Sequence, residues 1–218
     1  MLLETKPILF NTEMVRALLE GRKTETRRLV KPAHLKVLES QYHIVHPEVQ
    51  EKALIEKLCR PPYQPGDILY VRETWQYGGP LDSNDQVVEP YQYYYAADGD
   101  PFDRWLNDDG TYHDGMKWRP SIHMPKEAAR IFLRVTDVRV ERLQEIDEAG
   151  AVSEGCEKGS QPVGGGPFGI EDDPGEWTAR EHFVELWDST IKPIDLDRYG
   201  WAANPWVWVI EFERCEKL

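Results

Sequence analysis

The fold turns on ARIFLRVTDVRVERL, residues 129–143. Ile131, Leu133 and Val135 recur at every second position, with Arg130, Phe132 and Arg134 between them, which is the period of a half-buried β-strand. The phase changes near Thr136–Asp137, predicting a bulge or a bend at a barrel corner. A strand of this length needs partners, and other segments supply them. Lys6 to Phe10 is short and apolar. TETRRLVKP at 24–32 is extended and closed by Pro32, because the residue before a proline avoids helical geometry. In YQPGDILYVRETW, 63–75, a Pro65-Gly66 turn precedes the strand-prone run Ile68–Val71. Tyr91 to Ala97 and PWVWVIEFE at 205–213 complete the set.

Helical signals are fewer. Asn11 or Thr12 caps a helix carrying Met14, Val15, Leu18 and Leu19, with Gly21 as its stop. Val49–Leu58, Gln144–Glu154 and Glu176–Ile191 follow; the last places Phe183, Leu186 and Trp187 on one face. Strands outnumber helices without the regular alternation of a parallel sheet. The expected class is α+β, a small mixed β-barrel with helices at its openings, formed by a single domain over 1–218.

Composition narrows the function. The 218 residues carry a formal net charge of −13, which argues against sequence-blind binding of long duplex nucleic acid, since that mode requires a cationic surplus. The three cysteines, Cys59, Cys156 and Cys215, lack paired spacing and fit a reducing compartment. MLLETKPILF is too short and too charged for a signal segment, and no apolar run has spanning length. The expectation is a soluble cytoplasmic protein with no membrane partner. Neither cysteines nor histidines show metal-ligand spacing, so neither metal nor cofactor is expected. The Gly164–Gly166 run lies in a proline-rich loop and not at a strand-to-helix junction, so it is not read as a phosphate loop.

Against this acidic background, EGRKTETRRLVKP at 20–32 gathers Arg22, Lys23, Arg27, Arg28 and Lys31 among hydroxyls. Cations just past a helix end are also what the helix dipole favours, so the segment is either a solvated connection or an anion site.

EGRKTETRR, PGDILYVRETW, RIFLRVTDVRVERL, AVSEG at 151–155 and WVWVIEFE together resemble the pattern of ASCH-domain proteins, relatives of the PUA RNA-binding barrel. With WRPSIHMP at 118–125, the order is similar to that of the longer ASCH proteins of phages and prophages. Segments near 33–62, 76–117 and 157–175 fall outside the resemblance as insertions. The resemblance implies RNA or nucleotide binding in a cleft between barrel and helix. Some members are amidohydrolases that deacetylate acetylated cytidine, with a lysine, a threonine and a glutamate as proposed catalytic residues. Laid on this chain these are Lys23, Thr26 and Glu154.

That assignment can be weighed as chemistry. Metal-free amide hydrolysis needs a nucleophile, a proton acceptor and oxyanion donors. Thr26 supplies a hydroxyl. Lys23 is a base only if its pKa falls from about 10.4, through burial or the nearby Arg22, Arg27 and Arg28. Glu154 then donates a proton or orients water. Positions 23 and 26 of one regular strand would face opposite ways, so Lys23 must lie in the turn after Gly21. Arg27 and Arg28 alternate, one toward the cleft and one toward a surface acid. Glu73, Trp75, Trp118 and His123 are further ligand-binding candidates; Glu73 could bind a base edge or pair with an arginine, and Trp75 could stack on a base or close the barrel. Three functions stay open: a hydrolase of an acylated nucleoside such as N4-acetylcytidine, a non-catalytic module for nucleotides or short single-stranded RNA, and a phage accessory factor binding a protein through the acidic excursion at 98–114.

Overall fold

The computed structural model describes residues 5–30, 51–78, 84, 91–100, 104–106, 111–115, 117–159 and 177–217. The Gly164–Gly166 run, with parts of the expected insertions and of the acidic excursion, lies outside these residues. The chain is mixed α+β. Its strands are β1 (Thr5–Leu9), β2 (Glu25–Leu29), β3 (Ile68–Arg72), β4 (Trp75–Gly78), β5 (Gln92–Tyr95), β6 (Arg104–Leu106), β7 (Tyr112–Asp114), β8 (Phe132–Arg142) and β9 (Trp206–Cys215). Five of them hydrogen-bond in the order β1-β3-β8-β9-β2, and β4–β5 and β6–β7 form two-stranded sheets. No helix among the described residues is long and apolar enough to cross a membrane.

The chain divides into two compact units. The first comprises Met1–Glu20, Ile68–Arg134 and Arg214–Leu218. Here β1 runs parallel to β3, Thr5 opposite Ile68 and Leu9 opposite Arg72, and β3 runs antiparallel to the start of β8. Helix α1 (Thr12–Leu19) starts where the Asn11 side chain accepts from the Met14 amide at 2.8 Å, and it buries Val15, Ala17 and Leu18. Trp75 and Met124 pack with Ile68, Tyr70 and Phe132 in one core.

The second unit comprises Gly21–Asp67 and Val135–Glu213. β2 pairs antiparallel with β9, setting Thr26 opposite Ile210 and Arg27 opposite Val209. Residues 206–210 are buried at every position, as a strand flanked on both sides and covered on both faces must be. The helices are α2 (Glu51–Leu58), α3 (Glu148–Ser153), α4 (Ala179–Thr190) and α5 (Leu196–Tyr199). Thr178 and Glu181 form a reciprocal capping box at the start of α4, whose Phe183 and Trp187 join Leu143, Ala151, Val207 and Val209 in the core. The change of phase expected in the long strand is visible as two successive exposed residues, Thr136 and Asp137, just beyond the β3 pairing.

The turn that matters most for the site is at Gly21, whose φ is +78°. The chain leaves α1, makes this left-handed turn, and enters β2 only at Glu25. Lys23 is therefore outside the strand. Among the described residues, no atom beyond its own chain neighbours lies within 4 Å of where a Gly21 Cβ would be, so the glycine answers a backbone requirement and not a packing one. Gly21→Ala should lower stability by about 1–2 kcal/mol, seen as a lower denaturant midpoint at unchanged slope; equal stability would contradict this account of the turn.

Candidate functional site

Three buried polar residues meet in the second unit. Lys23, Thr26 and Glu154 are 2%, 0% and 3% exposed. The backbone pins them first: the Thr24 amide donates to the Ser153 carbonyl at 2.8 Å, and the Phe212 amide donates to the Thr24 carbonyl at 2.9 Å. Asp147 caps α3 by accepting from the Gly150 amide, and Glu154 is the residue closing that helix, followed by Gly155 at φ +96°. This delivers the Glu154 carboxylate to the run-in of β2.

Around that carboxylate the cations assemble. Lys23 Nζ donates to Glu154 Oε2 at 2.6 Å and to the Glu154 backbone oxygen at 2.8 Å. Arg27 Nη1 donates to Glu154 Oε1 at 3.2 Å. Arg28 Nη1 donates to Thr26 Oγ1 at 3.0 Å and to the Arg27 carbonyl at 3.1 Å. The field of Glu154 acts on Arg28, and that of Arg28 on Lys23. Thr26 thus joins the Lys23–Glu154 pair through Arg28. Arg22 lies beside the group, donating to the Gly155 carbonyl at 2.6 Å and pairing with Glu157 at 2.9 Å.

A second tier holds Arg27 in place. Its Nη1 reaches Glu25 at 3.4 Å, its Nη2 lies 3.6 Å from Glu141, and its guanidinium sits over the Phe183 ring. Glu25 and Glu141 are shared with Arg139, at 3.0 and 2.6 Å, and Arg139 also pairs with Glu211. Arg27 Nε is buried and finds no acceptor among the described residues.

Electrostatics follow from this packing. Burial pushes the Lys23 ammonium below the ordinary lysine value; Glu154 opposes the shift and Arg28 adds to it. Burial also lowers the Arg28 guanidinium, against Glu154, and raises the Tyr63 phenol, against Arg28. Tyr63 is thereby a neighbour of the site that sequence reasoning missed. Its position in the YQPGD turn carries no chemical signal, and only the fold brings it to Arg28.

The other candidates belong to the first unit. Glu73, 1% exposed, takes a bidentate pair of bonds from Arg130 Nε and Nη2 at 3.0 and 2.9 Å. Burial raises its carboxyl while Arg130 opposes the shift. Arg130 reaches on to Asp98 at 2.7 Å and stacks over Tyr95 at 3.9 Å. Burial drives the Tyr95 phenol up to about 12. Trp75 is buried in the core, Trp118 is half-buried, and His123 is exposed at the end of a 3₁₀ turn. No group of three metal-ligating side chains occurs among the described residues.

No protein-family model matches the chain, and no curated protein or solved structure matches it.

The buried pair has a measurable sign. The folded chain releases the Lys23 proton at lower pH than the unfolded chain, so between the lowered value and the ordinary 10.5 the unfolded state holds more protons. Lys23 therefore contributes stability that rises with pH across that window. The difference in unfolding free energy between the wild type and Lys23→Met should shift in favour of the wild type toward pH 10; a difference flat with pH would contradict the burial. Glu154→Leu should cost more than Lys23→Met, about 3–5 kcal/mol, because it removes the carboxylate that Lys23 and Arg27 share, while Lys23→Met leaves Glu154 with Arg27.

Proposed function

We propose that the chain is an ASCH-type protein of PUA-like architecture acting as a metal-independent amidohydrolase on an acylated nucleoside such as N4-acetylcytidine. The observation that carries this reading is the direct Lys23–Glu154 contact, with Thr26 joined to it through Arg28. Residue types that the sequence motif offered at separate positions are tied into one buried group.

The chemistry proceeds from these residues. The Thr26 hydroxyl accepts from Arg28, which stabilises negative charge growing on Oγ1 as its proton leaves. Lys23, whose hold on a proton is weakened by burial, takes that proton when in its amine form. Thr26 Oγ1 bonds to the acyl carbon, and the carbonyl oxygen becomes an oxyanion beside the Arg27 and Arg28 guanidiniums. Arg27 Nε, which finds no acceptor among the described residues, offers it a donor. The proton held by Lys23 crosses the 2.6 Å contact to Glu154 and passes to the exocyclic amine as the carbon–nitrogen bond breaks. Water then hydrolyses the threonine ester by the reverse roles, releasing acetate and regenerating the hydroxyl. The same group tolerates a small anionic or carbonyl ligand better than a duplex, in keeping with a net charge of −13.

The test is acetate release from N4-acetylcytidine. Thr26→Val keeps the buried volume and removes the nucleophile, so turnover should fall by at least about three orders of magnitude while the far-UV spectrum is unchanged; Thr26→Ser should retain activity. Absence of turnover in the wild type across acylated nucleosides would overturn the hydrolase reading, and binding without turnover would leave a nucleotide-binding module.

A further inference from the structure

Two arginines, Arg27 and Arg139, compete for two carboxylates. Glu25 and Glu141 each divide their oxygens between them. Glu25 Oε1 accepts from Arg139 Nη2 at 3.0 Å, and its Oε2 accepts from Arg27 Nη1 at 3.4 Å. Glu141 Oε1 accepts from Arg139 Nε at 2.6 Å, and its Oε2 lies 3.6 Å from Arg27 Nη2. On both carboxylates the shorter contact belongs to Arg139. Arg27 Nη1 is itself divided, between Glu25 at 3.4 Å and Glu154 at 3.2 Å. Arg27 is pulled two ways, and Arg139 weakens one of the pulls.

The strands create this contest. Glu25 of β2 stands directly opposite Glu211 of β9, a like-charge pair that is unfavourable unless a cation joins it. β8 flanks β9 on its other side, and its Asp137, Arg139 and Glu141 recur at the two-residue period of one face. Arg139 joins Glu211 as well as Glu25 and Glu141, with Asp137 at 3.9 Å. Its side chain is 32% exposed and that of Arg27 is 2% exposed, so a surface cation and a buried one hold the same two carboxylates. Arg27 has no slack toward α3. A Cβ on Gly150 would lie 3.2 Å from Arg27 Nη2, so that helix approaches the guanidinium closely only because it carries no side chain there.

The contest reaches Lys23 through Glu154, which gives one carboxylate oxygen to Lys23 and the other to Arg27. The more of the Glu154 charge Arg27 neutralises, the more easily Lys23 releases its proton. Two other groups act on Lys23 directly: Arg28 loosens its proton, and Cys156 tightens it. Without Arg139, Glu25 and Glu141 have Arg27 to turn to, and they draw it from Glu154. Both carboxylates also lose their closer cation, which makes the potential at Lys23 more negative. The two effects have the same sign.

We infer that Arg139 is a positioning residue: from β8 it holds Glu25 and Glu141 off Arg27, so that Arg27 stays on Glu154 and Lys23 can serve as a base. The base role rests on the proposed function; the coupling between Arg139 and Lys23 does not.

The experiment is lysine ¹³Cε NMR of the full chain without nucleoside. Lys23 should titrate at higher pH in Arg139→Gln than in the wild type, and Arg139→Lys, which keeps the charge without the fork, should fall between. Adding Glu25→Gln and Glu141→Gln to Arg139→Gln removes the competing carboxylates and should bring Lys23 back down. Turnover of N4-acetylcytidine by Arg139→Gln at pH 7 should be about threefold lower or more at unchanged KM, and the gap should close as pH rises. An Arg139 that serves stability alone would lower the denaturant midpoint and leave the Lys23 titration where it was; that result, or a downward move, would overturn the inference. Glu25→Gln with Glu141→Gln, Arg139 intact, reads the same coupling with opposite sign and decides the matter if Arg139→Gln does not fold: Lys23 should titrate lower, and no change would overturn the inference. A shifted titration in a chain without turnover supports the coupling and removes only the hydrolase reading.

Discussion

A carboxylate 3% exposed is held between a lysine and an arginine that are no more exposed, and the second unit is built around that requirement. Removing each ion from water costs several kcal/mol, recovered only if geometry and hydrogen bonding are both good. Glu154 meets the condition by committing Oε2 to Lys23 and Oε1 to Arg27. Lys23 gains a second acceptor in the backbone oxygen of the same residue. The demand reaches outward: Arg27 is steadied by Glu25 and Glu141, and those two by Arg139. The strand run-in, the end of α3, β8 and β9 are thereby linked by charge as well as by backbone bonds.

The arrangement also makes chemistry available. A structural ion pair requires neither a threonine nor an extra cation. Here Arg28 turns back to Thr26 Oγ1 within the field of Glu154. Burial weakens the hold of Lys23 on its proton, and Arg28 adds a smaller push.

Much of this was legible in the sequence where period and chemistry agreed. The α+β class followed from the alternation around Ile131–Val135 and from the apolar run at 206–210, whose double-sided burial explains why it reads less as alternation than as a continuous hydrophobic stretch. Gly21 marked the turn that frees Lys23 from the strand period, and the structure keeps Lys23 outside β2. The roles of Arg27 and Arg28 were less legible. Alternation sends one inward and one outward, yet Thr26 and Arg27 are both buried because β2 is covered on both faces, and Arg28 bends back along its own strand. Arg139 and Tyr63 carried no signal, because Glu25 and Arg28, which tie them to the site, lie far from them in sequence. At the strand end the sequence left two readings each, a base edge or an arginine for Glu73 and a nucleobase or the barrel core for Trp75. One is committed to Arg130 and the other to the core, which only three-dimensional packing decides.

Lysine ¹³Cε NMR of the full chain, with and without N4-acetylcytidine, tests the central claim most directly. The Lys23 resonance, assigned by its absence in Lys23→Met, should titrate below the ordinary value of 10.5 and move when the nucleoside is added. Titration of Lys23 together with the solvent-exposed lysines, unaffected by the nucleoside, would contradict the account.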